Sequence, residues 1–207
     1  HRVLVPLLKA LDTRLDRVVL SHRDTDHVGG AAAVLAMQPQ ADLWSSLEAA
    51  HPLLAMRSGQ RCEAGQRWEW DGVQFAVLHP RAEDYAGSAR PNALSCVLRI
   101  SNGRQTALLV GDIEQAQEAR LVADATILKA DLLLIPHHGS RTSSSGVFLD
   151  AVQPQHAWVQ SGYRNRFGHP VPSVLERYRE RHIAVQDSPH CGAMAWFSQH
   201  SAQVQCT

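Results

Sequence analysis

Apolar positions recur with a helical period in "RVLVPLLKAL" (2–11), which predicts a helix. "RVVLS" (17–21) is instead a short, nearly unbroken apolar run, the mark of a buried strand. "GAAAVLAM" (30–37) predicts a second helix, stopped near Pro39, and "ADLWSS" (41–46) a strand. Two longer stretches read as hairpins. "RWEWDGVQFAVLHP" (67–80) turns at Asp71-Gly72 and "SCVLRISNGRQTALLVGD" (95–112) at Asn102-Gly103, dipeptides suited to type I′ turns. Strands and helices then alternate. "EQAQEARLVA" (114–123), "SSSGVFLDAV" (143–152) and "VPSVLERYRERH" (171–182) predict helices. "DLLLIP" (131–136), "HAWVQS" (156–161), "IAVQ" (183–186) and "GAMAWF" (192–197) predict strands. The polar segment "AEDYAGSARPNA" (82–93) reads as a site-forming loop. Hairpins mixed with strand–helix units predict mixed sheets covered by helices, a layered α/β fold.

Composition bounds this picture without sharpening it. With 207 residues, 44% hydrophobic and 19% charged, the chain has the material for an ordinary core. Lys+Arg and Asp+Glu are both 20, so a nucleic-acid partner would have to be met by local patches. No stretch approaches the roughly 20 apolar residues of a membrane span. No signal peptide is evident, and the opening "HRVLVPLLKALDTRLDR" lacks an initiator Met, as a piece of a longer protein would. Cys62, Cys96, Cys191 and Cys206 have no CxxC spacing, which argues against a zinc ribbon. Buried thiols and disulfides in an oxidising compartment both remain open, with buried thiols the plainer reading.

The chemistry gathers at strand ends. In "VVLSHRDTDHVGG" (18–30), His22 and Asp24 share one face of an extended segment, while Asp26 and His27 enter the next helix on another vector. Two ligand pairs thus aim at neighbouring points, and a helix cap would need only one of the four residues. In "LLVGDIE" (108–114), Asp112 follows a strand and a glycine, where it is either a site carboxylate or a helix cap paired with Glu114. "LLLIPHHGSRTSS" (132–144) places His137 and His138 at the end of a buried strand, and in extended chain only one of them can face a given site. "GYRNRFGHP" (162–170) offers Arg164, Asn165, Arg166 and His169 to an anion, and "PNALSCVLRI" (91–100) offers Asn92 and Ser95. Six residues, His22, Asp24, Asp26, His27, Asp112 and His137, suit two divalent ions bridged by Asp112. No GxSxG or P-loop supports a rival chemistry.

The "HRDTDH" segment resembles the HxHxDH signature of the metallo-β-lactamase superfamily, with Asp24 in place of the second histidine. The set "SHRDTDHVGG", "NALSCVLRI", "LLVGDIE", "LLLIPHHGSRTSS" and "GYRNRFGHP" is more closely similar to the C-terminal hydrolase domain of the ComEC family of DNA internalisation competence proteins. The resemblance implies an αββα sandwich of mixed sheets, a single domain over residues 1–207, and N-terminal strands that this fragment lacks. It implies a divalent-metal phosphodiesterase, a nuclease that degrades the DNA strand that is not imported. The partners it implies are DNA, single-stranded by preference, and a membrane channel domain of the same polypeptide. The location it implies is the inner membrane, on the periplasmic side in preference to the cytoplasmic. Nothing indicates an obligate oligomer. Carried over by position, His22 and Asp24 bind one metal, Asp26, His27 and His137 the other, and Asp112 bridges. Asp26, Asp112 and His138 take the catalytic roles. Asn92, Ser95, Ser140, Arg141, Asn165, Arg166 and His169 lie with the substrate.

The chain departs from the superfamily at two ligand positions. Asp24 replaces one histidine, and Asn92, in "PNALS", stands about where a third is expected. An oxygen-rich set favours Mn²⁺, with Zn²⁺ or Mg²⁺ as the other choices. Two further readings compete with the nuclease: a lactonase- or lactamase-type hydrolase of small molecules, and a non-catalytic DNA-binding module with a decayed metal site.

Overall fold

A computed structural model describes residues 3–124, 127–199 and 204–206. The chain opens with helix α1 (Leu4–Ala10), strand β1 (Arg17–Leu20), the single turn α2 (Thr25–Val28) and helix α3 (Ala31–Met37). Strand β2 (Asp42–Ser45), helix α4 (Pro52–Met56) and strand β3 (Gly59–Arg61) follow. Strands β1, β2 and β3 pair in parallel as a three-stranded sheet. Strands β4 (Arg67–Trp70), β5 (Val73–His79), β6 (Val97–Ser101) and β7 (Thr106–Leu109) form an antiparallel meander. Helix α5 (Gln115–Ala123), β8 (Leu132–Leu134), α6 (Gly146–Val152), β9 (His156–Val159), α7 (Pro172–Arg179) and β10 (Ala184–Asp187) then alternate. Their strands extend the meander in parallel, giving a seven-stranded mixed sheet in the order β10-β9-β8-β7-β6-β5-β4. The short helix α8 (Ser188–Cys191) leads to a two-stranded ribbon of β11 (Met194–Trp196) and β12 (Val204–Cys206).

Three cores hold the layers. Leu20, Leu35, Leu43 and Leu53 pack α3 and α4 on one face of the small sheet. Trp44, Cys62, Val77, Cys96 and Leu98 fill the space between the two sheets. Val110, Leu133, Phe148, Leu149, Val159 and Tyr178 pack α5, α6 and α7 on the outer face of the large sheet. The result is the αββα sandwich expected from the motifs. A Cys62–Cys96 disulfide joins the edge of the small sheet to the start of β6, and a Cys191–Cys206 disulfide closes the ribbon. The thiols are therefore paired, not free.

Local departures from the sequence pattern have local causes. The turn at Asp71-Gly72 has both residues at positive φ, with Trp70 opposite Val73, as a two-residue hairpin requires. The second hairpin turns instead through four residues between Ser101 and Thr106. There the Asn102 side chain accepts from the N–H groups of Arg104 and Gln105, so it builds the turn itself. The 82–93 loop contains two 3₁₀ turns, Ala82–Ala86 and Pro91–Leu94. Asp84 holds the first by accepting from the Arg81 N–H at 2.8 Å and from Arg120 at 2.5 Å. Strand β3 ("GQR") is exposed throughout and has no hydrophobic alternation to announce it.

Candidate metal centre

The site lies where the ends of β1, β7 and β8 meet. Asp24 occupies the cap position of α2, yet its carboxylate makes no cap hydrogen bond. It stands 3.5 Å from Nε2 of His22 instead. Asp26 and His27 lie on α2 itself. Asp112 follows Gly111, which is held at φ +55 with its Cα hydrogens against Ser21 and Ser95; a Cβ there would come within 2.9 Å of the Ser21 side chain. Glu114, not Asp112, caps α5, in a reciprocal pair with Gln117.

His137 and His138 are not extended. Both adopt left-handed backbone, φ 49 and 53, in the turn Pro136–Gly139. That conformation is strained for non-glycine residues and is typical of functional sites. It turns both rings toward Asp112, with Nε2 of His137 at 3.9 Å and Nε2 of His138 at 3.5 Å from Oδ2. The expectation for these two rings rested on extended backbone, which neither residue adopts.

Four ligand atoms, from Asp26, His27, Asp112 and His138, lie within 4.8 Å of one another. Their separations are 3.2 Å for His27–His138, 3.3 Å for His27–Asp112, 3.2 Å for His138–Asp26 and 3.7 Å for His27–Asp26. Ligands about 2.1 Å from a tetrahedral ion lie roughly 3.4 Å apart, so the residues fit one. The cluster contains His138 where His137 was expected. His137 lies to one side, 3.4 Å from Nδ2 of Asn92, with Nδ1 near Thr142 and Glu114 at 3.3 and 3.4 Å. On the other flank His22 is wholly buried, and its Nε2 has no hydrogen-bond partner. That orphaned nitrogen, 3.8 Å from Oδ2 of Asp112, suits a second ion shared with Asp24 and Asp112.

The rings are oriented from behind. Nδ1 of His138 donates to the Gln160 carbonyl at 2.6 Å, which leaves the Nε2 lone pair facing the cluster. Ser21 Oγ sits 3.1 and 3.0 Å from Nδ1 of His22 and His27. Ser95 is fully buried; its Oγ lies 3.3 Å from Nδ1 of His22 and accepts the Asp112 N–H at 3.0 Å. Burial raises the Asp112 pKa, but the His27 hydrogen bond and the charges of His138 and His27 outweigh it, so the carboxyl is held below its ordinary range. Burial lowers His27, and the hydrogen bond and charge of Asp112 reverse this to a net rise. His22 is lowered, first by burial and then by the charge of His27.

The residues expected at the substrate have these surroundings. Ser95 and Ser140 are buried, and their hydroxyls bond within the protein, Ser95 to His22 and the Asp112 N–H and Ser140 to the Thr142 N–H. Asn165 spends both ends of its amide on its own loop, donating to the carbonyls of Gly162 and His169 and accepting the His169 N–H. On α7, Arg177 donates to the carbonyls of Ser143 and Ser144 and Arg179 pairs with Glu176, and just beyond it Arg181 pairs with Asp150. Arg141 and Arg166 are exposed. His169 lines a cavity of about 600 Å³ with Asp26, His27 and His138. Ser21 and the Gln160 carbonyl had no sequence signal, because one is a common residue and the other acts through its backbone.

Fold and ligand cluster together define a metal-hydrolase fold with a histidine–aspartate site. A family model described as the Metallo-beta-lactamase superfamily matches residues 5–162. The chain belongs to that superfamily. It is 39% identical over 193 residues to Competence protein ComA of Neisseria gonorrhoeae, covering 92% of this chain and 26% of that protein. It is 32% identical over 203 residues to Recombination protein 2 of Haemophilus influenzae, covering 98% and 25%. The chain therefore spans about a quarter of the length of these relatives. Among solved structures it is similar to Igni18, a metallo hydrolase of Ignicoccus hospitalis, with a TM-score of 0.56 at 16% identity over 89% of this chain and 80% of that one. Among the described residues no helix is long and apolar enough to cross a membrane.

Proposed function

We propose that this chain is a divalent-metal phosphodiesterase, a nuclease that degrades the non-imported strand during DNA uptake. The observation that carries the reading is the converging set Asp26, His27, Asp112 and His138, flanked by His22 and Asp24. The first four residues would hold one ion, and His22, Asp24 and Asp112 the other. When bound, such ions supply Lewis-acid activation of a water toward a phosphoryl centre. Asp112 is ionised and would be shared between the two ions, while the Gln160 carbonyl, Ser21 and Ser95 orient the imidazoles from behind. His169, Arg166 and Arg141 stand outside the cluster, where they would meet the phosphate backbone. No side chain supplies a nucleophile in this scheme.

The oxygen-rich flank at Asp24 and Asn92 favours Mn²⁺ over Zn²⁺. It also weighs against the lactonase or lactamase reading. The parts of the relatives that this chain does not span would include the channel domain that tethers it to the inner membrane. The two disulfides support the periplasmic side, since such bonds persist in oxidising compartments. With zero net charge, the separate chain should bind DNA weakly and with strong salt dependence, tethering supplying local concentration.

The test offers the purified chain with Mn²⁺ single-stranded DNA, a chromogenic phosphodiester and a lactone, with Asp112→Ala as control. Loss of DNA cleavage in the variant is expected. Cleavage of the lactone alone would transfer the reading to small-molecule hydrolysis, and tight DNA binding without cleavage at any metal would support a decayed site.

A further inference from the structure

The loop 162–169 holds two large rings in solvent beside the ligand cluster. Tyr163 is 69% exposed and Phe167 64%. Each carries an arginine: the Arg164 guanidinium lies 5.3 Å from the Tyr163 ring centroid and that of Arg166 4.7 Å from Phe167. Among the described residues no ion pair holds either guanidinium, in contrast to Arg179 and Arg181.

The loop is braced to present them. The Asn165 amide ties Gly162 to His169. Arg164 sits at φ +51, a strained conformation for a non-glycine residue. Pro170, at the end of the loop, is seated on Gly139, where a Cβ would meet Pro170 Cβ at 2.5 Å. Gly139 directly follows His138, so the loop is registered against the cluster. Rings continue from one to the other: His137 and His169 have centroids 5.8 Å apart, and His169 and Phe167 are stacked at 5.8 Å and 24°. Phe167 and His169 share their cavity with Asp26, His27 and His138.

Exposed rings backed by unpaired guanidinium groups are the chemistry that binds unpaired nucleobases. The ring offers a π face and the arginine a charge for the adjoining phosphate. A duplex keeps its base faces inside its own stack and cannot use such a surface. We infer that Phe167 with Arg166, extended by Tyr163 with Arg164, is a base-stacking platform that holds a single strand against the cluster and selects it over duplex. The inference rests on the phosphodiesterase reading for what happens next to the platform, but the stacking itself needs no turnover.

Binding is therefore measured in EDTA by fluorescence anisotropy. The probes are oligodeoxythymidylate of about a dozen nucleotides, an abasic strand of the same length, and a duplex. The thymidylate strand should bind at least about fivefold more tightly than the abasic strand. Phe167→Ala should weaken thymidylate binding roughly tenfold and leave the abasic strand within about twofold, and Phe167→Trp should restore it. Equal binding of the two strands by the unaltered chain, or equal loss of both in Phe167→Ala, overturns the platform. Hydrolysis of the chromogenic diester by the unaltered chain with Mn²⁺ is scored separately. Base-dependent binding without hydrolysis upholds the platform and removes the nuclease, and hydrolysis without base-dependent binding does the reverse.

Discussion

Nε2 of His27 and Nε2 of His138 stand 3.2 Å apart, although 111 residues separate them in the chain. The Gln160 carbonyl accepts a hydrogen bond from Nδ1 of His138, so its Nε2 presents a lone pair. Carboxylates of Asp26 and Asp112 approach the same point. A shared proton would satisfy one pair of these atoms, whereas a divalent ion satisfies all four.

His138→Ala should therefore lose one bound ion per chain. DNA hydrolysis should fall by at least the roughly 10–100-fold seen when a group that merely supports a ligand is removed. His137→Ala should keep that ion. Metal content after dialysis, measured on both variants, decides between the two histidines. Retention of full stoichiometry in His138→Ala would return the ligand role to His137.

The oxygen ligands at Asp24 and Asp112 predict the order of metals. Mn²⁺ should support faster DNA hydrolysis than Zn²⁺ at equal occupancy, and Asp24→His should shift the preference toward Zn²⁺. Metal-dependent rates of the two proteins check this. Full activity with zinc and none with manganese would contradict it.

Glu118 is a buried pillar under the histidine turn. Its carboxylate accepts the N–H groups of Ser144 and Ser145 at 2.5 and 2.7 Å. Ala there orphans both donors, and with about 1–3 kcal/mol for each buried unsatisfied group the chain should lose about 2–6 kcal/mol. Chemical denaturation measures the loss.

The same carboxyl supplies a pH signature. Burial holds its pKa above the ordinary 4.5, its hydrogen bonds to Ser145 and Ser144 and the charge of Arg177 opposing this. A raised carboxyl favours the folded state below its unfolded pKa, and that contribution is lost as pH rises through the folded value. The unfolding free energy of the unaltered chain should therefore fall relative to Glu118→Gln as pH is raised through this range. A flat difference would exclude it.

The Cys62–Cys96 bond closes 34 residues and ties the small sheet to β6, next to Ser95. Cys62→Ser should cost about 3–4 kcal/mol through loop-closure entropy. Because Ser95 holds both His22 and the Asp112 backbone, metal affinity should fall along with stability. Denaturation and metal titration of the variant test both.

The layers were legible because their signals are local. The apolar runs at 17–21 and 131–136 and the turn at Asp71-Gly72 need no distant partner to be read. Strand β3 and the one-turn helix α2 were not legible, the first for want of alternation and the second because four residues carry no period. The partners of Arg177, Arg179 and Arg181 were not legible either, since Ser143, Glu176 and Asp150 meet them only in space.

The sequence by itself determined which residues could ligate and that they fall at strand ends, because residue chemistry and hydrophobic period are properties of the chain. Only the tertiary structure decided how they converge. The left-handed turn at His137 and His138, set by Pro136, Gly139 and the packing of Pro170, brings His138 into the cluster and leaves His137 beside Asn92. Ser95, which reads as a substrate contact, is buried between the sheets and braces His22. Ligand geometry is fixed by backbone dihedrals and by contacts between layers, and neither is encoded in the spacing of residues along one segment.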